Sequence, residues 1–399
     1  MTATSRATAG NGIVTRDELV GRAHELRPLL RDYSAKADSQ RGLPDAVVTA
    51  LIDAGMFRMV VPKRLGGYEA DLHTVTEVAE ILGAGDASAA WVVCLGAVAT
   101  SLAGRVSARA QDEIFGSDPD ARIAGGSVPG TAVRVEGGVR ITGRWSYASG
   151  SLHATWASIA AVVINEGGEV TEALMGFARA PELSIEDTWH TVGMRGTGSN
   201  TWVADDIFIP DHRLVSLAAM TDDTWPAPTD EAIFDIPFVP VAVAMLLPSL
   251  LGCGRAALDL VIEKAHHKAK QHTIFSRQSD SVGVQIKLAE AALKLETARL
   301  HTFDIVDRLD ALASGADLSY ADRARMRGQA GYAAQQVLMA IHELVNIHGA
   351  ASFAESSRLQ QLWRDANTAA RHAGIDALVG NEVYGKSLLS VEERISEMV

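Results

Sequence analysis

The amino-acid sequence predicts an α+β chain that is mostly α, with an N-terminal helical domain over residues 1–120, a small central β-domain over 121–235 and a C-terminal four-helix bundle over 236–399. Three observations carry this. Apolar residues recur at helical spacing before residue 116 and again after residue 240, the period falls to two in between, and 399 residues are too many for one small core.

In the first part Leu19, Ala23, Leu26 and Leu30 line one helical face, and Pro44 opens a second helix carrying Val47, Val48, Leu51 and Ile52. Pro62, Gly66 and Gly67 mark a loop. The run 88–102 is so rich in alanine and valine that it must be buried on nearly every side, a central helix. In the second part Ala132 to Val135, a Gly137-Gly138 turn and Val139 to Thr142 read as a hairpin, and further strands are expected over 156–164, 173–178 and 202–209. The third part holds helical segments at 248–268, 282–313, 320–348 and 356–378, whose short connections suit an antiparallel bundle. The proline-bearing, acidic stretch 222–235 reads equally as a lid, an interface arm or a linker.

Composition narrows the function. A formal net charge of −13 with no dense basic stripe repels polyphosphate backbones, so no nucleic-acid partner is expected. No apolar run looks long enough and free enough of charge to span a bilayer, and the polar N-terminal residues read as a frayed tail of a cytoplasmic protein. Cys94 and Cys253 lie far apart in apolar surroundings, as buried free thiols do. His266, His267 and His272 interleave with Lys264, Lys268 and Lys270 and lack a carboxylate or thiolate, so no metal site is expected. Gly252-Cys253-Gly254 imitates a dinucleotide fingerprint but falls inside a helical pattern, where close helix packing explains it better.

Three segments carry chemistry. Trp145, Ser146, Tyr147, Ser149 and Gly150 end the hairpin's second strand, where aromatics beside small hydroxyls suit a flat ring with hydrogen-bonding edges. The loop from Gly193 to Asn200 offers three glycines, Arg195, Thr197 and Ser199 as a cradle for a polar planar ligand, or else forms a plain turn. His372 sits among small residues in what reads as one continuous helix from Trp363, presenting an imidazole to something bulky rather than filling a core.

Together these features resemble the acyl-CoA dehydrogenase fold, and within it the oxygenase components of two-component flavin-dependent monooxygenases. The resemblance spans nearly the whole chain, through Trp145 to Gly150, Gly193 to Ser199, Asn346 to Ala350, and Trp363-Arg364-Asp365 with Thr368 and His372. Where acyl-CoA dehydrogenases carry a catalytic glutamate about nine residues past the Arg-Asp pair, this chain has Arg371-His372-Ala373-Gly374, although Asp376 and Glu382 lie near.

The resemblance implies reduced flavin, FMNH2 or FADH2, delivered by a separate flavin reductase, and oxygen transfer through a C4a-hydroperoxide to a small aromatic substrate, phenolic or polycyclic. An amino-sugar N-oxygenase and an acyl-CoA dehydrogenase are the alternatives. It assigns His372 to accept a phenolic proton or hold the phenolate, and a hydroxyl near flavin N5 to Ser149, with Ser146 second. Trp145, Ser146, Arg195, Thr197 and Ser199 become cofactor contacts. Lys268, or Arg277 after the loop, takes the place of a phosphate-binding cation, and His348 with Gly349 resembles a turn reaching a partner's cofactor, unless His348 caps its own helix. Such shared sites imply a homotetramer.

Overall fold

The computed structural model describes residues 14–222, 231, 234–313 and 316–399; the tail before Val14 and most of the 222–235 stretch lie outside the described residues. Helix α1 (Arg16–Gln40) begins at a capping box between Thr15 and Glu18 and buries Leu19, Ala23 and Leu30. Pro44 caps α2 (Asp45–Asp53), and Asp71 caps α3 (Leu72–Gly85) by accepting from the Thr74 amide. Helix α4 (Ala87–Ala103) starts at Asp86, whose carboxylate accepts from the Ala89 amide, and is buried on almost every face, as its alanine and valine content requires. Helix α5 (Ala108–Phe115) completes the first part.

Strands β1 (Ile123–Val135) and β2 (Gly138–Ala148) form the expected hairpin, turning at Gly137 with φ of 78°. They continue into β3 (Trp156–Ile164), β4 (Val170–Arg179), β5 (Ser184–Glu186), β6 (Asn200–Pro210) and β7 (Leu214–Ser216). The sheet order is β5-β6-β2-β1-β3-β4-β7, antiparallel except for the β1–β3 pair. The edge strands β5 and β7, three residues each, escaped the sequence reading because alternation over so short a run has no statistical weight.

Helices α6 (Leu217–Asp222), α7 (Phe238–Ala244), α8 (Pro248–Ala265), α9 (Val282–Leu312), α10 (Tyr320–His348), α11 (Arg358–Ala369) and α12 (Ala377–Leu388) follow. Two expectations change. Phe238–Ala265 does pass a length and hydropathy test for a membrane span, but it is two helices broken at Met245–Leu247, and 83% of its most apolar window is buried inside the fold. The fourth bundle segment is likewise not one helix: α11 stops at Ala369, a turn follows, and Asp376 caps α12 by accepting from the Leu378 and Val379 amides. His372 therefore sits in the turn between α11 and α12 and not on a helix.

The helix pair at Gly252 confirms the packing reading. A Cβ there would lie 2.4 Å from the Gly83 carbonyl carbon, so α8 and α3 touch backbone to backbone. The α3–α8 contact brings the first part onto the bundle, and α4 lies between the bundle and the sheet. That position sets the site.

Candidate active site

At the end of β2 the pairing with β6 slips between Trp145 and Ala148, and Tyr147 adopts φ of 65°, rare for a residue with a side chain. The twist throws Tyr147 outward, where its ring meets Trp189 edge-on at 6.0 Å, and turns Ser149 toward α4. There the Trp91 indole Nε1 donates to Ser149 Oγ at 3.2 Å. Ser149 Oγ lies 2.7 Å from Ser199 Oγ, which lies 2.6 Å from Thr197 Oγ1, which donates to the Met194 carbonyl at 2.8 Å.

Donor and acceptor counting fixes the direction of this chain. An indole N–H can only donate and a carbonyl can only accept. Thr197 spends its proton on Met194, so Ser199 donates to Thr197, and Ser149 in turn donates to Ser199. With the Trp91 hydrogen accepted and its own proton committed, half-buried Ser149 Oγ keeps one lone pair with which to accept from a ligand.

The same indole also touches His372, whose ring meets Trp91 at 5.8 Å in a T-shaped contact. Solvent reaches the imidazole although protein surrounds it closely. Desolvation, helped by the positive Arg327, lowers its pKa from the ordinary histidine value and so favours the neutral ring. Trp91 thus contacts both an acceptor, Ser149, and an imidazole, His372.

Helix α11 fixes the loop that supplies the hydroxyls. Buried Asp365 accepts from the Met194 amide at 2.6 Å, and Arg364 reaches the Val192 carbonyl and the Asp38 carboxylate. A Cβ on Gly193 would stand 2.2 Å from the Arg364 carbonyl oxygen, so this glycine serves close docking and not ligand contact. Burial, with Asp86 adding repulsion, pushes the Asp365 carboxyl up to about 7. A carboxyl protonated in the fold but ionised in the unfolded chain contributes stability that is complete at low pH and is lost as pH rises from the ordinary aspartate range through about 7. Asp365→Asn keeps an acceptor for Met194, so the variant is expected to lose most of this slope and to exceed the wild type in stability at pH 8. Urea midpoints measured from pH 5 to 8 check it.

The remaining sequence candidates divide. Thr197 and Ser199 join the site as described. Trp145 does not: it is 0% exposed, its Nε1 donates to the Ala160 carbonyl at 2.8 Å, and it packs the interior of the β-domain. Ser146 points away, exposed, accepting from Thr201 Oγ1 at 3.3 Å. Arg195 donates from Nε to the Asp38 carbonyl and from Nη1 to the Thr191 carbonyl, which ties the loop to α1. Asp376 is occupied as the α12 cap, and Glu382 is exposed on α12.

Lys268, Arg277, His348 and Gly349 lie about the α8 and α10 ends. Lys268 Nζ donates to the His348 carbonyl at 2.5 Å, and Arg277 pairs with Asp280 at 2.9 Å. His348 Nδ1 meets Ser352 Oγ at 3.0 Å, and burial together with Lys268 and Lys264 lowers its pKa. Gly349, at φ of 84°, has open space where a Cβ would project. Among the described residues this group shares no hydrogen bond or ring contact with Ser149, Trp91 or His372. Sequence reasoning missed Trp91 and Arg327. The signal for Trp91 was present, the one aromatic residue in a helix otherwise built mostly of small and β-branched residues.

Two family models match the chain, that of the acyl-CoA dehydrogenase N-terminal domain at residues 23–113 and that of its C-terminal domain at residues 244–377. The chain is 30% identical over 369 residues to the flavin-dependent monooxygenase, oxygenase subunit HsaA of Mycobacterium tuberculosis, covering 90% of this chain and 93% of that one. It is 28% identical to the oxygenase component of an FADH(2)-dependent resorcinol hydroxylase of Rhizobium sp., over 94% of this chain and 95% of the other. Among solved structures, XiaF from Streptomyces sp., in complex with FADH2 and glycerol, superposes with a TM-score of 0.90 at 38% identity, covering 96% of this chain and 97% of that one. The chain has the acyl-CoA dehydrogenase fold. It belongs to that fold's family of flavin-dependent monooxygenases.

The residues fit a reduced flavin. A reduced isoalloxazine carries an N–H at N5, and Ser149 Oγ offers a lone pair with no donor capacity left over. Tyr147, 71% exposed, and half-buried Trp189 form an aromatic pair at the same strand end.

Proposed function

We propose that this chain is the oxygenase component of a two-component monooxygenase that hydroxylates a small phenolic aromatic, using reduced flavin made by a separate reductase. Reduced flavin supplies the electrons that activate O2. The chain's own residues do the rest: Ser149 accepts from the N–H edge of the ring, and His372 holds the substrate's phenolic oxygen. The single observation that carries the reading is that one buried indole touches both groups, its Nε1 donating to the Ser149 hydroxyl while its ring meets the His372 imidazole. The test is an assay with FMN or FAD, a flavin reductase, a panel of phenols and 18O2. One labelled oxygen in the product is expected; hydrogen peroxide alone with every phenol overturns the reading.

We further propose a homotetramer working in the cytoplasm. Ile286, Leu293 and Leu300 recur every seven residues on α9, all exposed, and Tyr332 and Met339 repeat that interval on α10, an apolar face wider than one chain uses. The Lys268, Arg277 and His348 group would then meet a neighbour's flavin phosphate. Cys94 and Cys253, buried and unpaired, suit a reducing compartment. Leu293→Glu with Leu300→Glu is expected to shift the sedimentation coefficient to a smaller species and to weaken flavin retention at least tenfold, both read by analytical ultracentrifugation with flavin absorbance.

A further inference from the structure

The turn after α11 holds His372 through a hydrogen bond of defined polarity. The Gly374 amide donates to His372 Nδ1 at 3.0 Å, so Nδ1 must present its lone pair. Neither an imidazolium nor the tautomer protonated at Nδ1 satisfies that contact, and the neutral ring that does carries its hydrogen on Nε2.

The amide that makes this bond is itself polarised. The Gly374 N–H and the Ala373 carbonyl belong to one peptide group, and that carbonyl accepts from Arg327 Nη2 at 2.5 Å. The second guanidinium nitrogen, Nη1, donates to the Gly374 carbonyl. Arg327 lies on α10 and is 4% exposed, so its charge acts through a low-dielectric interior. Pulling electron density from Ala373 O strengthens Gly374 N–H as a donor, and the nearby positive charge opposes any proton added to the ring.

The other neighbours are accounted for. Trp91 from α4 and Leu246 from the turn between α7 and α8 are uncharged, and Arg371 on the same turn is exposed. Asp376, the α12 cap, is the one acidic neighbour; its charge acts on Arg327 and favours the charged guanidinium.

We infer that Arg327, acting through the Ala373–Gly374 peptide, fixes His372 as the Nε2–H imidazole, so that the ring gives a hydrogen bond to the substrate oxygen and takes no proton from it. The substrate side of this rests on the proposed hydroxylase reading; the tautomer does not. Arg327 is a positioning residue. The phenolate oxygen, as electron density moves through the aromatic ring toward the site of attack, is held by this donor, and the phenolic proton leaves to solvent by another path.

The experiment is solid-state 15N NMR of the full-length protein labelled in histidine, with His372→Gln identifying the resonances. Nδ1 is expected to be unprotonated and Nε2 protonated at pH 7. In Arg327→Met the two tautomers should mix and the ring should titrate nearer an ordinary histidine, with Arg327→Lys restoring the wild-type pattern. A second arm compares product formation in His372→Gln and His372→Glu. A donor role leaves the glutamine variant at least tenfold more active than the glutamate variant. An unprotonated Nε2 in the wild type, or a glutamate variant more active than the glutamine one, overturns the inference. A tautomer and titration unchanged in Arg327→Met overturn the role of Arg327, and if that variant does not fold, Arg327→Gln, which removes the charge but keeps an N–H donor, takes its place. If the wild type hydroxylates no phenol, the hydroxylase reading fails while the nitrogen resonances still report the tautomer.

Discussion

His372→Ala is expected to lower hydroxylated product by a factor of about 10² or more while flavin affinity stays within about threefold of wild type; removing a single preorganised donor from a site of developing negative charge costs on the order of 3 kcal/mol of transition-state stabilisation. The imidazole hangs from a turn and caps it only through Gly374, so the fold should barely notice its loss. A melting temperature lowered by a few degrees is in line with losing one cap, about 1 kcal/mol. Product and peroxide are measured together in single turnovers with excess phenol. Flavin oxidation should proceed, and the electrons that no longer reach the aromatic should appear as hydrogen peroxide. A variant that hydroxylates at the wild-type rate would mean that the imidazole is a bystander in the cleft wall.

Much of this site was legible in the sequence, and the part that was not has definite causes. Ser149 and His372 stand out as hydroxyl and imidazole among small neighbours, and in the structure both touch Trp91. The break before His372 was not legible. The run from Ala366 to Ala370 contains no glycine or proline, and the turn is tied from outside by Arg327, which claims the Ala373 and Gly374 carbonyls from another helix. The tie from Arg195 to α1 was not legible either, since its partner Asp38 lies 157 residues away in sequence and only folding brings them together. Trp145 was different, because the alternation of β2 already contained the answer. Val139 and Ile141 face inward, and a period of two carries Trp145 to the same buried face. Side-chain direction along a strand was readable there, while a cation's long-range partner was not.

Ser149→Ala should shift the outcome of each turnover from product toward peroxide by at least tenfold, because it removes the one acceptor offered to the N–H edge of a reduced ring. The substitution also cuts the hydroxyl chain at its entrance. Trp91 Nε1 loses its partner, and Ser199 loses the donor that faced it, although its own bond to Thr197 survives. An orphaned buried N–H costs about 1–3 kcal/mol, so a loss of thermal stability should accompany the loss of coupling. The two effects are separable by Trp91→Phe, which removes the indole N–H while leaving the serine oxygen in place. With that donor gone, Ser149 Oγ still presents a lone pair to the ring, and coupling should remain within about threefold of wild type even if stability falls. Should Trp91→Phe uncouple as severely as Ser149→Ala, the indole and not the serine oxygen would be the group on which efficient oxygen transfer depends. Reduced-flavin titration by fluorescence, with peroxide and product quantified in the same samples, distinguishes the two, since loss of the serine acceptor weakens binding of the reduced ring and loss of the indole hydrogen does not.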